Sequence, residues 1–258
     1  MKIRPGIELA NLSDIGCVRA NNEDSFGYAE PEADSEFQLR GRLIIIADGM
    51  GGHEGGQVAS AIAVNVLRQI FLEGPTGDPA SVLESGFLAA HIAIQEHAWH
   101  QPELKGMGTT CTAALLRDGS VTYGHVGDSR LYLLRDGAIQ RLTRDHTYVQ
   151  QLIDAEVITP EQAKNHPGRN ILTSALGAVT AGPPDVAETP VALQSADILL
   201  MCTDGLHGLI TDDEMAAIAS QNNPPKACQQ LVDLAKSRGG FDNVTLQIVR
   251  IDGPVDRP

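Results

Sequence analysis

Apolar residues along this chain fall into two patterns, and one of them is a short apolar run that halts at an acid beside glycine. Leu43-Ile44-Ile45-Ile46-Ala47 ends at Asp48-Gly49, and Ile198-Leu199-Leu200-Met201-Cys202 ends at Thr203-Asp204-Gly205. Unbroken apolar runs of this length predict strands covered on both faces. The other pattern has helical spacing. Val58, Ala59, Ile62, Val66, Ile70 and Phe71 predict a helix from Gln57 to Leu72, closed by Gly74-Pro75. A second helix is predicted over Pro79 to Trp99, with Leu83, Phe87, Ala90 and Ile94 on its buried face and proline in the first turn, where its missing donor costs nothing.

Shorter elements fill the rest of the chain. Residues 6–12 alternate loosely and lead through Ser13-Asp14-Ile15-Gly16 and Asn21-Asn22-Glu23-Asp24 towards another strand. The polar stretch Pro31 to Gly41 reads as a hairpin loop. Thr109 to Leu116, Ser120 to Val126, Arg130 to Leu134 and Ala138 to Leu142 are short strands separated by Asp-Gly or Gly-Asp pairs. Such links are too short for parallel crossovers, so an antiparallel meander is expected and a doubly wound dinucleotide fold is excluded. Residues 143–182 turn polar and read as a semi-independent flap. Thr211 with Glu214 forms a capping-box signature, a helix follows from Pro224 to Ser237, and Val244 to Ile251 is a closing strand.

Composition narrows the partners. The 258 residues carry 42% hydrophobic and 20% charged side chains, globular values that allow one large domain over residues 1–258. A formal charge of -14 argues against nucleic acid or an anionic membrane as partner and suits cations. No segment approaches the ~18 apolar residues of a membrane span and the first residues lack a signal-like run, so a soluble, cytoplasmic protein is expected. Cys17, Cys111, Cys202 and Cys228 are far apart and read as reduced core residues.

Asp48, Asp128, Asp204 and Asp242 share one position, at the edge of an apolar strand beside glycine or asparagine. If these ends converge, with Glu23 or Asp24, the carboxylates repel one another unless cations intervene. All-oxygen donors favour Mg²⁺ or Mn²⁺ over zinc. Two such ions would activate a water for attack on phosphorus, Arg19 is placed to clamp a phosphate, and His53 could protonate a leaving alkoxide. Competing motifs fail. His53-Glu54-Gly55-Gly56-Gln57 lacks the second histidine of a zinc-protease helix, Gly127-Asp128-Ser129-Arg130-Leu131 lacks the last glycine of a nucleophile elbow, and the glycines after Asp48 are not followed by the Lys-Ser or Lys-Thr of a P-loop.

The order and spacing of Ser13-Asp14-Ile15-Gly16, Arg19, Asn22-Glu23-Asp24, Ala47-Asp48-Gly49-Met50-Gly51-Gly52-His53, Gly108-Thr109-Thr110, Val126-Gly127-Asp128-Ser129-Arg130, Leu142-Thr143 with Asp145-His146, Thr203-Asp204-Gly205-Leu206 and Asp242-Asn243-Val244-Thr245 resemble the PP2C (PPM) family of metal-dependent serine/threonine phosphatases in its compact bacterial form. Thr203 departs from the serine of many members. The resemblance implies an α+β fold, a four-layer αββα sandwich of two antiparallel sheets. It implies that Asp48 bridges two Mn²⁺ or Mg²⁺ ions, with Gly49 contributing its carbonyl and Asp204 and Asp242 completing one ion. Asp128, helped by Asp204, would hold a third. Glu23 and Asp24 would hold metal-bound waters, Arg19 the phosphate, and His53 would be the general acid. Attack by a metal-bridging hydroxide without a phosphoenzyme is expected, with phosphorylated proteins as substrates, a bacterial Ser/Thr kinase and its substrates as partners, the 143–182 flap influencing substrate choice, and a monomeric state. A catalytically silent phosphoprotein-binding module of the same fold and a small-molecule phosphatase are the alternatives.

Overall fold

A computed structural model describes residues 3–51, 55–178 and 182–253. In chain order the elements are β1 (Ile7–Asp14), β2 (Asp24–Ala29), α1 (Asp34–Arg40), β3 (Arg42–Met50), α2 (Gly55–Glu73), α3 (Pro79–His100), β4 (Gly108–Thr109), β5 (Cys111–Arg117), β6 (Ser120–Val126), β7 (Arg130–Arg135) and β8 (Ala138–Arg141). They continue with α4 (Tyr148–Asp154), α5 (Pro160–Lys164), β9 (Asp185–Val186), β10 (Val191–Ala192), β11 (Ile198–Cys202), α6 (Asp204–His207), α7 (Asp212–Gln221), α8 (Pro224–Ser237) and β12 (Val244–Ile251). The two long predicted helices thus form as α2 and α3. Asp78 caps α3, accepting from the Ser81 N–H ahead of Pro79.

The strands assemble into a five-stranded sheet in the order β1-β12-β11-β7-β8 and a seven-stranded sheet built on the path β10-β6-β5-β3-β2. Three layers of apolar side chains hold the stack together. Ile45, Ala47, Ala113 and Leu115 face Ala59, Ala63, Leu67 and Phe87 of α2 and α3. Leu200, Cys202, Leu246 and Ile248 face Met215, Leu231 and Val232 of α7 and α8. Between the sheets, Ile44, Ile46, Ala114 and Leu116 meet Leu131, Leu133, Leu199, Met201 and Val249. Each central strand therefore buries alternate residues on opposite faces, which explains its unbroken apolar sequence. The result is the expected four-layer αββα sandwich, and no helix among the described residues is long and apolar enough to cross a membrane.

Three expectations need correction. Residues 31–41 connect the β2–β3 hairpin but contain a helix, α1, whose buried Phe37 lies under the Arg4 and Arg42 guanidiniums at 4.7 and 5.0 Å. That cation–π anchoring comes from distant residues and leaves no helical period in the local sequence. The meander is broken in its middle: β5–β6 and β7–β8 pair as antiparallel hairpins, but they lie in different sheets. Gly127-Asp128-Ser129 is the crossing point. Finally, Cys17 is exposed on the β1–β2 loop, whereas Cys111, Cys202 and Cys228 are buried, and all four are free thiols.

Candidate active site

The seven-stranded sheet contributes Asp24 and Asp48, which stand opposite each other on β2 and β3. The end of β3 is pinned from its other side. The Asp48 N–H donates to Thr110 Oγ1 at 3.0 Å, and the Asp48 carbonyl accepts from the Thr110 N–H and Thr109 Oγ1, both at 2.9 Å. Gly49 N–H donates to the Glu23 carbonyl at 3.1 Å. A Cβ on Gly49 would sit 2.1 Å from the Gly56 carbonyl oxygen and 2.6 Å from that of Glu23, so only glycine lets the start of α2 close over this strand end.

The five-stranded sheet supplies Asp204 at the start of α6 and Asp242 just before β12. Their segments are pressed together: a Cβ on Gly205 would lie 2.0 Å from the Asn243 carbonyl oxygen and 3.4 Å from Asp242 Cβ. Asp128 arrives on the link that crosses between the sheets. The structure thus places five aspartates from both sheets at one end of the sandwich, near enough that the charges of Asp24, Asp204, Asp128 and Asp242 all act on Asp48. No three acidic, histidine or cysteine side chains among the described residues form a compact chelate. The convergence is of facing carboxylates, not of finished coordination geometry.

Electrostatics follow from this crowding. Burial raises the Asp48 carboxyl well above the usual range, and the charges of Asp24, Asp204, Asp128 and Asp242 raise it further. Burial pushes Asp24 up to about 7 against the lowering effect of the Thr245 and Thr203 hydroxyls. Burial followed by Asp204 pushes Asp128 up to about 8, and burial followed by Asp242 pushes Asp204 up to about 6. Asp24 Oδ1 and Asp204 Oδ1 are buried with no hydrogen-bond partner. Crowded carboxylates, orphaned lone pairs and an all-oxygen donor set fit hard divalent cations, which would remove the repulsion and satisfy the orphans.

Arg19 stands at the open rim with its side chain 52% exposed, and its Nη2 donates to Asp242 Oδ2 at 2.6 Å. That bond holds its guanidinium above the ordinary value. Glu23 is half-buried beside it, and desolvation raises its carboxyl. His53 lies outside the described residues, so its expected place in the site is not described.

Asn243 and Thr203 stand in the sequence motifs without a role, and His125 and His207 are not singled out there; the structure shows how they hold these groups in place. Asn243 is the hub: its Oδ1 accepts from the Glu23 N–H at 2.8 Å, and its Nδ2 donates to the Ile15 and Asn21 carbonyls at 3.0 and 2.9 Å. Thr203 Oγ1 donates to Asp24 Oδ2 at 3.0 Å, so the hydroxyl shared by serine and threonine is what this position uses. Around Asp128 the pattern is denser. His207 Nε2 bonds the Asp128 carbonyl at 3.0 Å, buried His125 bonds the Gly127 carbonyl at 2.9 Å, and the Gly127 N–H donates to His146 Nδ1 at 3.2 Å. Desolvation lowers His125 to about 4 and His207 to about 3, so both act as neutral rings. The Asp145-His146 pair was visible as a motif, and Asp145 holds Arg130 with bonds of 3.0 and 2.6 Å.

A family model described as "Protein phosphatase 2C" matches residues 20–235. The serine/threonine protein phosphatase PstP of Mycobacterium tuberculosis is 37% identical over 245 residues, covering 95% of this chain and 45% of PstP, so the chain spans about half the length of that relative. Protein phosphatase PhpP of Streptococcus pneumoniae is 34% identical over 252 residues, covering 95% of this chain and 98% of PhpP. A crystal structure of the PstP catalytic domain in complex with two manganese ions superposes with a TM-score of 0.82 at 35% identity, covering 95% of this chain and 98% of that one. Matches of this extent, on a sandwich whose two sheets meet in a nest of aspartates, show that the chain belongs to the protein phosphatase 2C family.

Proposed function

We propose that this protein hydrolyses phosphoserine and phosphothreonine monoesters in proteins with the help of bound Mn²⁺ or Mg²⁺. The observation that carries the reading is the aspartate nest, in which mutual repulsion and two orphaned carboxylate oxygens demand cations at one end of the sandwich. Asp48, the Gly49 carbonyl, Asp204 and Asp242 would hold two ions, and Asp128 with Asp204 a third. When bound, such ions supply Lewis acidity, lowering the pKa of water and neutralising charge on the phosphoryl oxygens.

The chain's own groups do the rest. Arg19 has one guanidinium nitrogen on Asp242 and a half-exposed remainder available to a phosphate oxygen, so it binds and orients the ester. Glu23 and Asp24, held by Asn243 and Thr203, accept hydrogen bonds from water in the cleft. His53 keeps the role of proton donor to the leaving alkoxide. No side chain is called on as nucleophile, and no phosphoenzyme forms. The chain works as one catalytic domain, a cytoplasmic monomer that reverses the action of a Ser/Thr kinase. Its 143–182 flap borders the cleft and influences substrate choice: the flap's far end is tied by Leu176 to Thr109, which itself bonds the Asp48 carbonyl.

The test is hydrolysis of a phosphothreonine peptide after chelation, with and without added Mn²⁺, in the wild type and in Asp48→Asn. Activity only with metal, and none in the variant, is expected. Turnover that persists in chelator overturns the reading. Phosphopeptide binding without turnover at saturating Mn²⁺ would identify a silent binding module instead, and faster turnover of metabolite phosphates than of the peptide would identify a small-molecule phosphatase.

A further inference from the structure

β2 is the free edge of the seven-stranded sheet, and it begins at Asp24. The bond from the Gly49 N–H to the Glu23 carbonyl sets the phase of its ladder: Ser25, Gly27 and Ala29 direct their backbone groups towards β3. In antiparallel pairing the alternate residues face the other way, so the N–H and C=O of Phe26 and Tyr28 point off the sheet. Beside this edge runs an open groove of about 310 Å³, walled by Asp24, Ser25 and Phe26 and by Ala61, Asn65 and Arg68 of α2. Phe26 on this strand is 38% exposed.

Arg68 is an unusual arginine in this chain. Eleven of the described arginines hold a carboxylate within 4.0 Å; among the described residues Arg68 and the surface Arg169 hold none, and of these two only Arg68 has a buried Nε with no hydrogen-bond partner. Its Cδ lies 3.1 Å from where a Cβ on Gly27 would be, which places it on the α2 face of β2, three residues along from Asp24. In a protein of net charge -14, an arginine left without a carboxylate beside a polar groove is complementary to an incoming acid.

We propose that this groove takes the segment of a phosphorylated protein substrate that flanks the phosphoresidue, adding it to β2 as an extra strand while Arg68 reads an acidic side chain three residues from the phosphate. The inference rests on the phosphatase reading and names the substrate class within it. Strand periodicity fixes the spacing. Asp24 and Asp48 lie on the inter-sheet face, whereas Arg68 lies on the opposite, α2 face, so the phosphoresidue and the acidic residue point to opposite sides of the added strand and must be an odd number apart. Three residues, about 10 Å of strand, span the distance from Asp24 to Gly27. Main-chain pairing on an exposed edge with side-chain reading in a pocket is a recurrent mode of peptide recognition.

The experiment compares kcat/KM for phosphothreonine peptides carrying Glu, Gln or Lys at positions +3, -3, +2 and -2, in Mn²⁺, for the wild type, Arg68→Gln and Arg68→Glu. A partly exposed ion pair predicts about a fivefold preference for Glu over Gln. It should appear at only one of +3 and -3, vanish at +2 and -2, collapse in Arg68→Gln and turn into a preference for Lys in Arg68→Glu. The overall negative charge of the protein works against acidic peptides, so such a preference has to be local. Turnover without charge preference overturns the groove alone, as does a preference that survives in Arg68→Gln or appears equally on both sides of the phosphate. If no peptide is turned over, the phosphatase reading falls and the groove with it.

Discussion

Removing the charge of Asp24 should stabilise the metal-stripped protein at alkaline pH and have no effect at acid pH. Asp24 is buried, one of its oxygens is orphaned, and its carboxyl is pushed from 3.8 up to about 7. Between those two values the native state binds the extra proton and the unfolded chain does not. The slope of unfolding free energy with pH is then negative: nothing is lost below 3.8, stability falls through the interval, and the whole loss is present above about 7. At about 1.4 kcal/mol per pH unit this is about 4 kcal/mol for an isolated group. Burial is the larger cause and the charges of Asp204 and Asp242 add to it; a buried amide keeps part of the desolvation cost, so the neutral side chain recovers about half, roughly 2 kcal/mol. For a chain of this size that is about 4–8 °C in Tm.

The measurement is a set of thermal melts of wild type and Asp24→Asn in chelator at pH 4 and pH 8.5. The Thr203 and Thr245 hydroxyls can reorient to serve an amide, so the substitution leaves no donor stranded. A higher Tm for the variant at pH 8.5 only is expected. An equal rise at both pH values would mean that Asn improves packing, and a lower Tm at pH 8.5 would mean that charging this buried carboxyl costs nothing; either result refutes the reasoning. Saturating Mn²⁺ should erase the variant's advantage.

Gly205→Ala should cost about 3 kcal/mol and weaken Mn²⁺ binding in calorimetry, because its Cβ would meet the Asn243 carbonyl oxygen at 2.0 Å; Gly119→Ala, with nothing among the described residues within 4 Å, should leave Mn²⁺ binding unchanged. Arg130→Lys should lower Tm by the equivalent of about 2 kcal/mol, because lysine cannot reproduce the two bonds to Asp145, while leaving the Mn²⁺ affinity unchanged since the charge near Asp128 is kept. Arg19→Ala should raise KM more than it lowers kcat in steady-state assays with a phosphopeptide; a large kcat loss at constant KM would place its contact in the transition state alone.

The parts of the site legible from sequence were those written locally. Asp48 and Asp204 each follow an apolar run buried on both faces of its sheet, Asp48 still inside β3 and Asp204 just beyond β11, and the end of such a run is plain to read. The capping box of α7, Thr211 with Glu214, is equally local. What stayed hidden depends on chain segments that meet only after folding. Asn243 bonds the Ile15 carbonyl across 228 positions, and Phe37 needs Arg4 and Arg42 above it before residues 34–40 have a reason to coil. The crossing at Gly127-Asp128 has the composition of a hairpin turn. Only the different partners of β6 and β7 reveal that it joins two sheets.

That crossing explains why so costly a nest of charge is compatible with the fold. Asp24 and Asp48 belong to one sheet and Asp204 and Asp242 to the other, so their repulsion pushes on the seam that Ile44, Ile46, Leu131 and Met201 close by burial. Cations held between the two sets would pull across the same seam. Binding at 100 times Kd contributes about 2.7 kcal/mol per site, so two occupied sites amount to about 5 kcal/mol, comparable to the roughly 4 kcal/mol that one isolated raised aspartate costs. Metal binding at the nest and sheet–sheet cohesion would then be one equilibrium. Substitutions in the inter-sheet layer, far from any carboxylate, should then change Mn²⁺ affinity in the same direction as they change stability.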